Sequence, residues 1–313
     1  VRPRLTVSTS GNSGMAERLA RLGAARYGRS MAHPRIARPR PVSSSNLPPA
    51  SADPNTADYG FENVPREEKR QLVRHVFDRV ASRYDLMNDL MSLGIHRLWK
   101  AHLVDLVRPQ RGERLLDLAG GTGDVAQRLF TAAHNDAQIV LCDINEAMVR
   151  EGRDRALDRG EVWALDQTDA ADQTSRSGIS LLCGNAEALP FADASFDAYT
   201  IAFGLRNVTD KAKALSEAWR VLKPGGRFFC LEFSPLTSPV LAKAYDVYSF
   251  SVLPRLGQIF AGDGEPYTYL AESIRRFPDR ATLAAMMEAA GLGAVKIRPL
   301  SGGIVVIHSA WRI

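Results

Sequence analysis

Between Leu115 and Asp124 the chain reads Leu-Leu-Asp-Leu-Ala-Gly-Gly-Thr-Gly-Asp. A short apolar run breaks into glycines and then enters a helical stretch. Glycines at such a turn let a ligand approach the backbone beside the positive end of the helix. Asp143 closes the next apolar run, 20 residues past Gly123, where a carboxylate can hold ribose hydroxyls. Together these residues describe a site for a nucleoside-bearing cofactor, without saying which one. Gly121-Thr122-Gly123-Asp-Val-Ala126 also satisfies the dinucleotide pattern G-x-G-x-x-G/A.

Other side chains extend the list. Asp117 lies inside the first apolar run, before the glycines, where a pyrophosphate would be repelled. Asn185 and Ala186 follow the third run, and an Asn there can hydrogen-bond an adenine edge. Arg206 and Asn207 follow the fourth run, and a polar set of Tyr84, Asp85, Asn88 and His96 precedes them all. Each member of that set could equally cap or staple a helix. His75 and His102 fall in predicted helices and His308 in a predicted strand, without metal-ligand spacing. No metal is expected. Cys142, Cys183 and Cys230 are odd in number and far apart, which excludes a disulfide framework and a CxxC zinc site. All three read as small core residues, with Met91 and Trp99 also in the core.

The elements that must position these groups alternate. Strand-like runs cover 115–119, 138–143, 179–184, 196–203 and 227–233, with helical stretches at 123–133, 145–157 and 210–222. Strands separated by helices imply right-handed crossovers and a parallel sheet covered on both faces. Runs at 294–300 and 303–311 are joined by Ser301-Gly302-Gly303, too short for a crossover, so they form an antiparallel hairpin. The expectation is an α/β fold with a seven-stranded, mostly parallel sheet. Residues 66–80 carry one apolar stripe, with Glu67 and Glu68 in the first turn where the dipole favours them. Residues 158–178 read as a polar surface insertion. A stripe of Leu241, Tyr245, Tyr248 and Val252, followed by Pro254 and then Leu256, Ile259 and Phe260, suits a groove for an apolar tail, a membrane-facing lid, a dimer contact or an ordinary packed helix.

The 313 residues carry a formal charge of +5, unevenly placed. Residues 1–52 hold nine Arg, no Lys and one acid, a charge of +8, so the remainder stands at −3. A basic body that wraps nucleic acid is excluded on that balance. An Arg-rich, Ser-bearing, acid-poor segment has the composition of an organelle transit peptide, mitochondrial or plastid. Residues 41–60 are rich in Pro, Ser and Asp and read as linker, with folding expected to begin near Phe61. The domain division is therefore 1–55 for leader and linker and 56–313 for the folded body. No apolar run reaches the roughly 18 residues of a membrane span.

With the segment Arg-Val-Leu-Lys-Pro-Gly-Gly at 220–226, the positions of Asp117, the glycine loop, Asp143 and Asn185 resemble those of a class I S-adenosylmethionine-dependent methyltransferase, a Rossmann-like fold. Three longer segments are more specific. Tyr84 to Trp99, Phe203-Gly-Leu-Arg-Asn-Val208 and Tyr269-Leu-Ala-Glu-Ser-Ile-Arg-Arg-Phe-Pro278 are similar to signatures of the ubiquinone/menaquinone C-methyltransferase family, over the whole body from 61 to 313. The leader points to its mitochondrial members. The resemblance implies S-adenosylmethionine as cofactor and C-methylation of a 2-methoxy-6-polyprenyl-1,4-benzoquinol in ubiquinone biosynthesis, or of a demethylnaphthoquinol in a plastid or menaquinone setting. It implies that Asp117, Gly121, Thr122, Gly123, Asp143, Asn185, Ala186 and Tyr84 hold the cofactor, with Thr122 at its methionine end. It also implies peripheral contact with the matrix side of the inner membrane, a quinone-biosynthesis complex in which the chain could act as a scaffold, and a homodimer. Ala202 stands where bacterial-type members often carry Ser, so a side-chain contact is lost there.

A ring carbon ortho to a hydroxyl is a weak nucleophile until that hydroxyl loses its proton. The protein must align the ring with the methyl group and stabilise phenolate. Arg206 and Asn207 are the expected catalytic residues, placed at the carboxyl edge of the sheet. The competing reading of Arg206 is a structural arginine paired with Asp210 or another acid.

Overall fold

The computed structural model describes residues 53, 55–80, 84–158, 163–164, 177–236, 243, 245–261 and 264–313. The expected leader and the linker up to residue 52 lie outside the described residues, as do 159–162 and 165–176 of the expected insertion.

The central sheet has eight strands in the order β5-β6-β4-β3-β7-β8-β10-β9. These are β3 (Arg114–Leu118), β4 (Gln138–Asp143), β5 (Trp163–Ala164), β6 (Gly178–Cys183), β7 (Phe196–Ala202), β8 (Leu222–Phe233), β9 (Leu292–Leu300) and β10 (Val305–Arg312). Strands β5 to β8 and β3 and β4 run parallel, whereas β10 pairs antiparallel with both β8 and β9. The terminal hairpin thus folds back so that its second strand enters the sheet first. The seven expected strands are all present. The eighth, β5, is a two-residue edge strand inside the stretch expected to be irregular.

The expected linker also needs correction. Thr56–Tyr59 forms β1 and pairs antiparallel with β2 (Glu62–Pro65). Composition hid this strand, because its stabilising contacts are tertiary. Ala57 is buried, and the Tyr59 ring stacks on Tyr269 at 4.6 Å. Gly60 makes the turn at φ +57°, a conformation that favours glycine.

Period-two alternation in the strands fills two layers. Leu115, Ile139 and Leu141 face a core shared with α1 (Arg66–Val80), α2 (Tyr84–Ser92), α3 (His96–Val107) and α4 (Asp124–Ala132). Leu116, Val140 and Cys142 face the other core, under α6 (Lys211–Val221) and α9 (Arg280–Ala289). Helix α5 (Glu146–Asp158) follows β4. Asp210 caps α6 by accepting from the Lys213 N–H, and Asp279 caps α9 by accepting from Ala281 and Thr282.

The stripe expected along 241–260 is not continuous. Tyr248–Val252 forms a π-helical turn before α7 (Leu253–Ala261). Pro254 has no N–H to continue the α ladder into that turn. The extra residue per turn rotates the stripe apart. The Tyr248 hydroxyl donates to the Leu90 carbonyl and Tyr245 packs under the Arg275 guanidinium, while Val247, Val252 and Ile259 face outward. Leu241 and the side chain of Phe260 lie outside the described set. Helix α8 (Glu265–Arg276) packs behind this region and supplies Tyr269. Among the described residues no helix is long and apolar enough to cross a membrane.

Candidate functional site

The chain runs outward from β3 to β4 and β6, then returns to β7 on the other side of β3. The crevice at the carboxyl ends of these strands is where α/β sheets receive ligands. A cleft of about 840 Å³, counting its open mouth, lies there. Gly121, Asp143, Asn185, Ala186 and Asn207 all line it. Residues from four separate loops of the sequence meet in one place.

Backbone conformation shapes the floor. Gly121 and Gly123 adopt φ +54° and +86°, which turns the loop tightly into α4. Gly204 could not carry a side chain, since a Cβ there would come within 2.4 Å of the Ala119 Cβ. Ala119 and Phe203, at the ends of β3 and β7, hold φ +50° and +59°. Non-glycine residues rarely adopt that region, and here two flank the same cleft.

Asp143 accepts from the Gly121 N–H at 2.9 Å and from the Asn145 N–H at 2.8 Å. Burial raises its pKa, and these backbone donors oppose the rise. The Asn185 Oδ1 accepts from the Glu187 N–H at 3.0 Å, which leaves its NH2 end as the donor for a ligand.

Asp117 and Thr122 line a smaller cavity next to the cleft, together with Lys100 and Asp124. The Asp117 Oδ1 accepts from the Thr200 hydroxyl at 2.7 Å, while its buried Oδ2 has no hydrogen-bond partner among the described residues. Burial pushes its pKa up to about 7. The Lys100 ammonium pairs with Asp124 at 3.0 Å. An acid and a cation on one small wall suit a zwitterion, such as the amino-acid end of S-adenosylmethionine. The cleft beside it, walled by Val73, Phe77, Ile144 and Met148, suits a nucleoside. The residues therefore fit that cofactor.

Arg206 and Asn207 sit on a single 3-10 turn, yet face different ways. Asn207 lines the cleft, and its Oδ1 accepts from the Tyr269 hydroxyl at 3.1 Å. Arg206 is buried behind it. Its Nη1 lies 3.1 Å from both Glu232 oxygens, and Glu232 is 1% exposed. Asp210 pairs with Arg66 instead.

Of the polar set Tyr84, Asp85, Asn88 and His96, neither Asn88 nor His96 is among the cleft-lining residues. His96 is buried against Asp89 at 2.9 Å, and burial lowers its pKa. The side chains of Tyr84 and Asp85 lie outside the described set. Cys183 is exposed, not in the core, because β6 ends there, while Cys142 and Cys230 are buried as expected. Sequence reasoning missed Arg70, Arg74 and Phe77, which roof the cleft from α1. The signal lies in the sequence: Arg70 and Arg74 sit four apart beside Val73 and Phe77 of the apolar stripe, on one helical face.

The chain matches the family described as "ubiE/COQ5 methyltransferase family" over residues 63–312. It is 51% identical over 265 residues to a ubiquinone/menaquinone biosynthesis C-methyltransferase of Methylobacterium nodulans, covering 84% of this chain and 99% of that one. It is 52% identical over 264 residues to the protein of the same name from Acidiphilium cryptum, covering 84% and 100%. Among solved structures it resembles a Thermotoga maritima S-adenosylmethionine-dependent methyltransferase, with TM-score 0.52 and 20% identity over 76% of this chain and 99% of that one. That likeness concerns the fold: a class I methyltransferase sheet with an antiparallel end.

Proposed function

Since the chain belongs to the ubiE/COQ5 methyltransferase family, we propose that its acceptor is the reduced ring of a 2-methoxy-6-polyprenyl-1,4-benzoquinol, methylated on carbon. As a member it is an enzyme, a methyltransferase that uses S-adenosylmethionine. The related proteins are C-methyltransferases of ubiquinone and menaquinone biosynthesis. The benzoquinol is the finer assignment. The observation that carries it is the meeting of Gly121, Asp143 and Asn185 with Asn207 around one cleft, cofactor groups on one side and a polar amide on the other.

Bound S-adenosylmethionine supplies an electrophilic methyl group on a sulfonium. Asp117 receives the cationic amino end, beside Thr122, and Lys100 stands near for the carboxylate. Asp143 holds the ribose hydroxyls, and Asn185 with Ala186 borders the adenine. Gly121 and Gly123 keep the loop low enough for this approach, and Tyr84 is the cofactor contact supplied by the N-terminal polar set. Asn207, with its oxygen bonded to Tyr269, turns its NH2 to the ring oxygen and stabilises phenolate there. Arg206, bonded to Glu232, fixes the turn that carries Asn207.

Residues 56–313 are the catalytic body, and the Arg-rich 1–52 segment supports delivery to the mitochondrion. Leu93 in the α2–α3 turn and Leu98 in the first turn of α3 are 74% and 70% exposed, and α7 exposes Ile259 at 72%. This supports peripheral contact with the inner membrane that holds the acceptor's tail, within a quinone-biosynthesis complex. The ring assignment is tested by offering a short-tailed 2-methoxy-6-prenyl-1,4-benzoquinol and a demethylnaphthoquinol together, with labelled cofactor. Faster labelling of the benzoquinol is expected, and preference for the naphthoquinol would overturn it.

A further inference from the structure

Behind the Arg206–Asn207 turn lies a third, small cavity, about 250 Å³ counting its mouth. Four cations line it: Lys69, Arg206, Lys211 and Arg276. Lys69 is 2% exposed, Arg206 is 6%, and the Arg276 side chain is 7%. Asp58 answers them at the wall and Glu232 through Arg206, while Glu187 and Asp210 act on the lysines from outside it and are themselves paired with Arg70 and Arg66.

The donors outnumber the acceptors. The Lys69 and Lys211 ammonium groups both lean on one carbonyl, that of Val208, at 3.4 and 3.1 Å. Each ammonium has three N–H groups to place. Arg206 has given its Nη1 to Glu232, and its buried Nε has no partner among the described residues. Burial lowers both lysine pKa values, that of Lys69 to about 7, and for Lys69 the next cause is repulsion by Lys211. Buried cations without matching acceptors are costly. Asp58 is 3.9 Å from the Arg276 Nη1, and its Oδ1 accepts no hydrogen bond among the described residues.

We propose that this cavity binds a small oxyanion that still carries a proton, of the inorganic phosphate class, with Lys69, Lys211 and Arg206 donating to it and Asp58 accepting from its proton-bearing oxygen. The charge surplus asks for an anion, and the Asp58 oxygen asks for a donor on that anion. Such a ligand has a consequence for the cleft. Lys69 belongs to α1, whose Arg70, Val73, Arg74 and Phe77 roof the cofactor side. Lys211 and Arg206 belong to the segment that follows β7. An anion between them ties the roof helix to the floor, so its occupancy strengthens cofactor binding. The site stands on its own residues, whether or not the acceptor assignment holds.

Binding of inorganic phosphate and of acetate to the full-length chain would be followed by calorimetry and thermal melting, at constant ionic strength in chloride. Saturable binding of one anion per chain is expected, with a higher melting temperature and tighter S-adenosylmethionine binding in its presence. Losing one charged hydrogen-bond donor in Lys69→Met should weaken it by roughly tenfold or more. Lys211→Gln, a milder change, should weaken it in the same direction, and Lys243→Met on the surface should not. Acetate, which has no proton to give Asp58, should bind more weakly than phosphate, and acetate binding as tightly or more tightly would overturn the proposal. Absence of saturable binding at millimolar anion, or equal affinity in wild type, Lys69→Met and Lys211→Gln, would overturn the proposal.

Discussion

Arg206 and Glu232 form a buried ion pair, and breaking one side of such a pair leaves the other charge stranded at a cost of about 3–5 kcal/mol. Arg206→Ala should therefore lose stability as well as turnover, which confounds its reading. Removing both charges is often near neutral for stability. Arg206→Met with Glu232→Gln is expected to melt near wild type and to bind S-adenosylmethionine normally, with kcat at least about tenfold lower. Full turnover in that double variant would make Arg206 purely structural. Asp117 supplies a pH dependence. Its pKa in the free protein is near 7 because it is buried, and a bound ammonium group favours the ionised form. Below pH 7 cofactor binding must expel that proton, so affinity should fall by up to about tenfold per pH unit there and level off above. Calorimetry in two buffers of different ionisation enthalpy should show proton release at pH 6, absent in Asp117→Asn. No release in the wild type would remove the ammonium contact. At this scale the sequence is informative where spacing matters: the places of Asp143 and Asn185 after strands put both on the cleft wall. The Arg206 partner is not legible from spacing, because Glu232 is 26 residues away and pairs only once β7 and β8 are adjacent.

Elements bring the site's supports from distant segments. Tyr269 of α8 holds the Asn207 amide, and Tyr59 of β1 stacks on that tyrosine. Burial raises the Tyr269 pKa, so the hydroxyl remains a donor. Tyr269→Phe removes one neutral hydrogen bond, worth about 1 kcal/mol, and should lower kcat roughly fivefold. Its S-adenosylmethionine affinity should not change. An equal loss in both would show the tyrosine to be a packing group only. Apolar runs made the buried parallel strands legible. Strand β1 was hidden in polar composition, and the π turn at Tyr248–Val252 was hidden in an apparently regular stripe. Both depend on tertiary partners or on a proline's missing donor, which periodicity does not register.

For the whole molecule, alternating strands and helices with a terminal hairpin were enough to give the sheet's class, since handedness and connection length leave few topologies. What spacing did not give was how α1 lies over the strand ends, which decides that Arg70, Arg74 and Phe77 belong to the cleft. That closure brings Gly121, Asp143, Asn185 and Asn207 to one cleft, where C-methylation requires an electron-rich ring. The most direct measurement is methyl transfer from labelled S-adenosylmethionine by the full chain to a short-tailed 2-methoxy-6-prenyl-1,4-benzoquinol, presented reduced and oxidised. Label is expected on a ring carbon, from the reduced acceptor only. Label on oxygen, or equal labelling of the oxidised ring, would contradict C-methylation of the reduced ring.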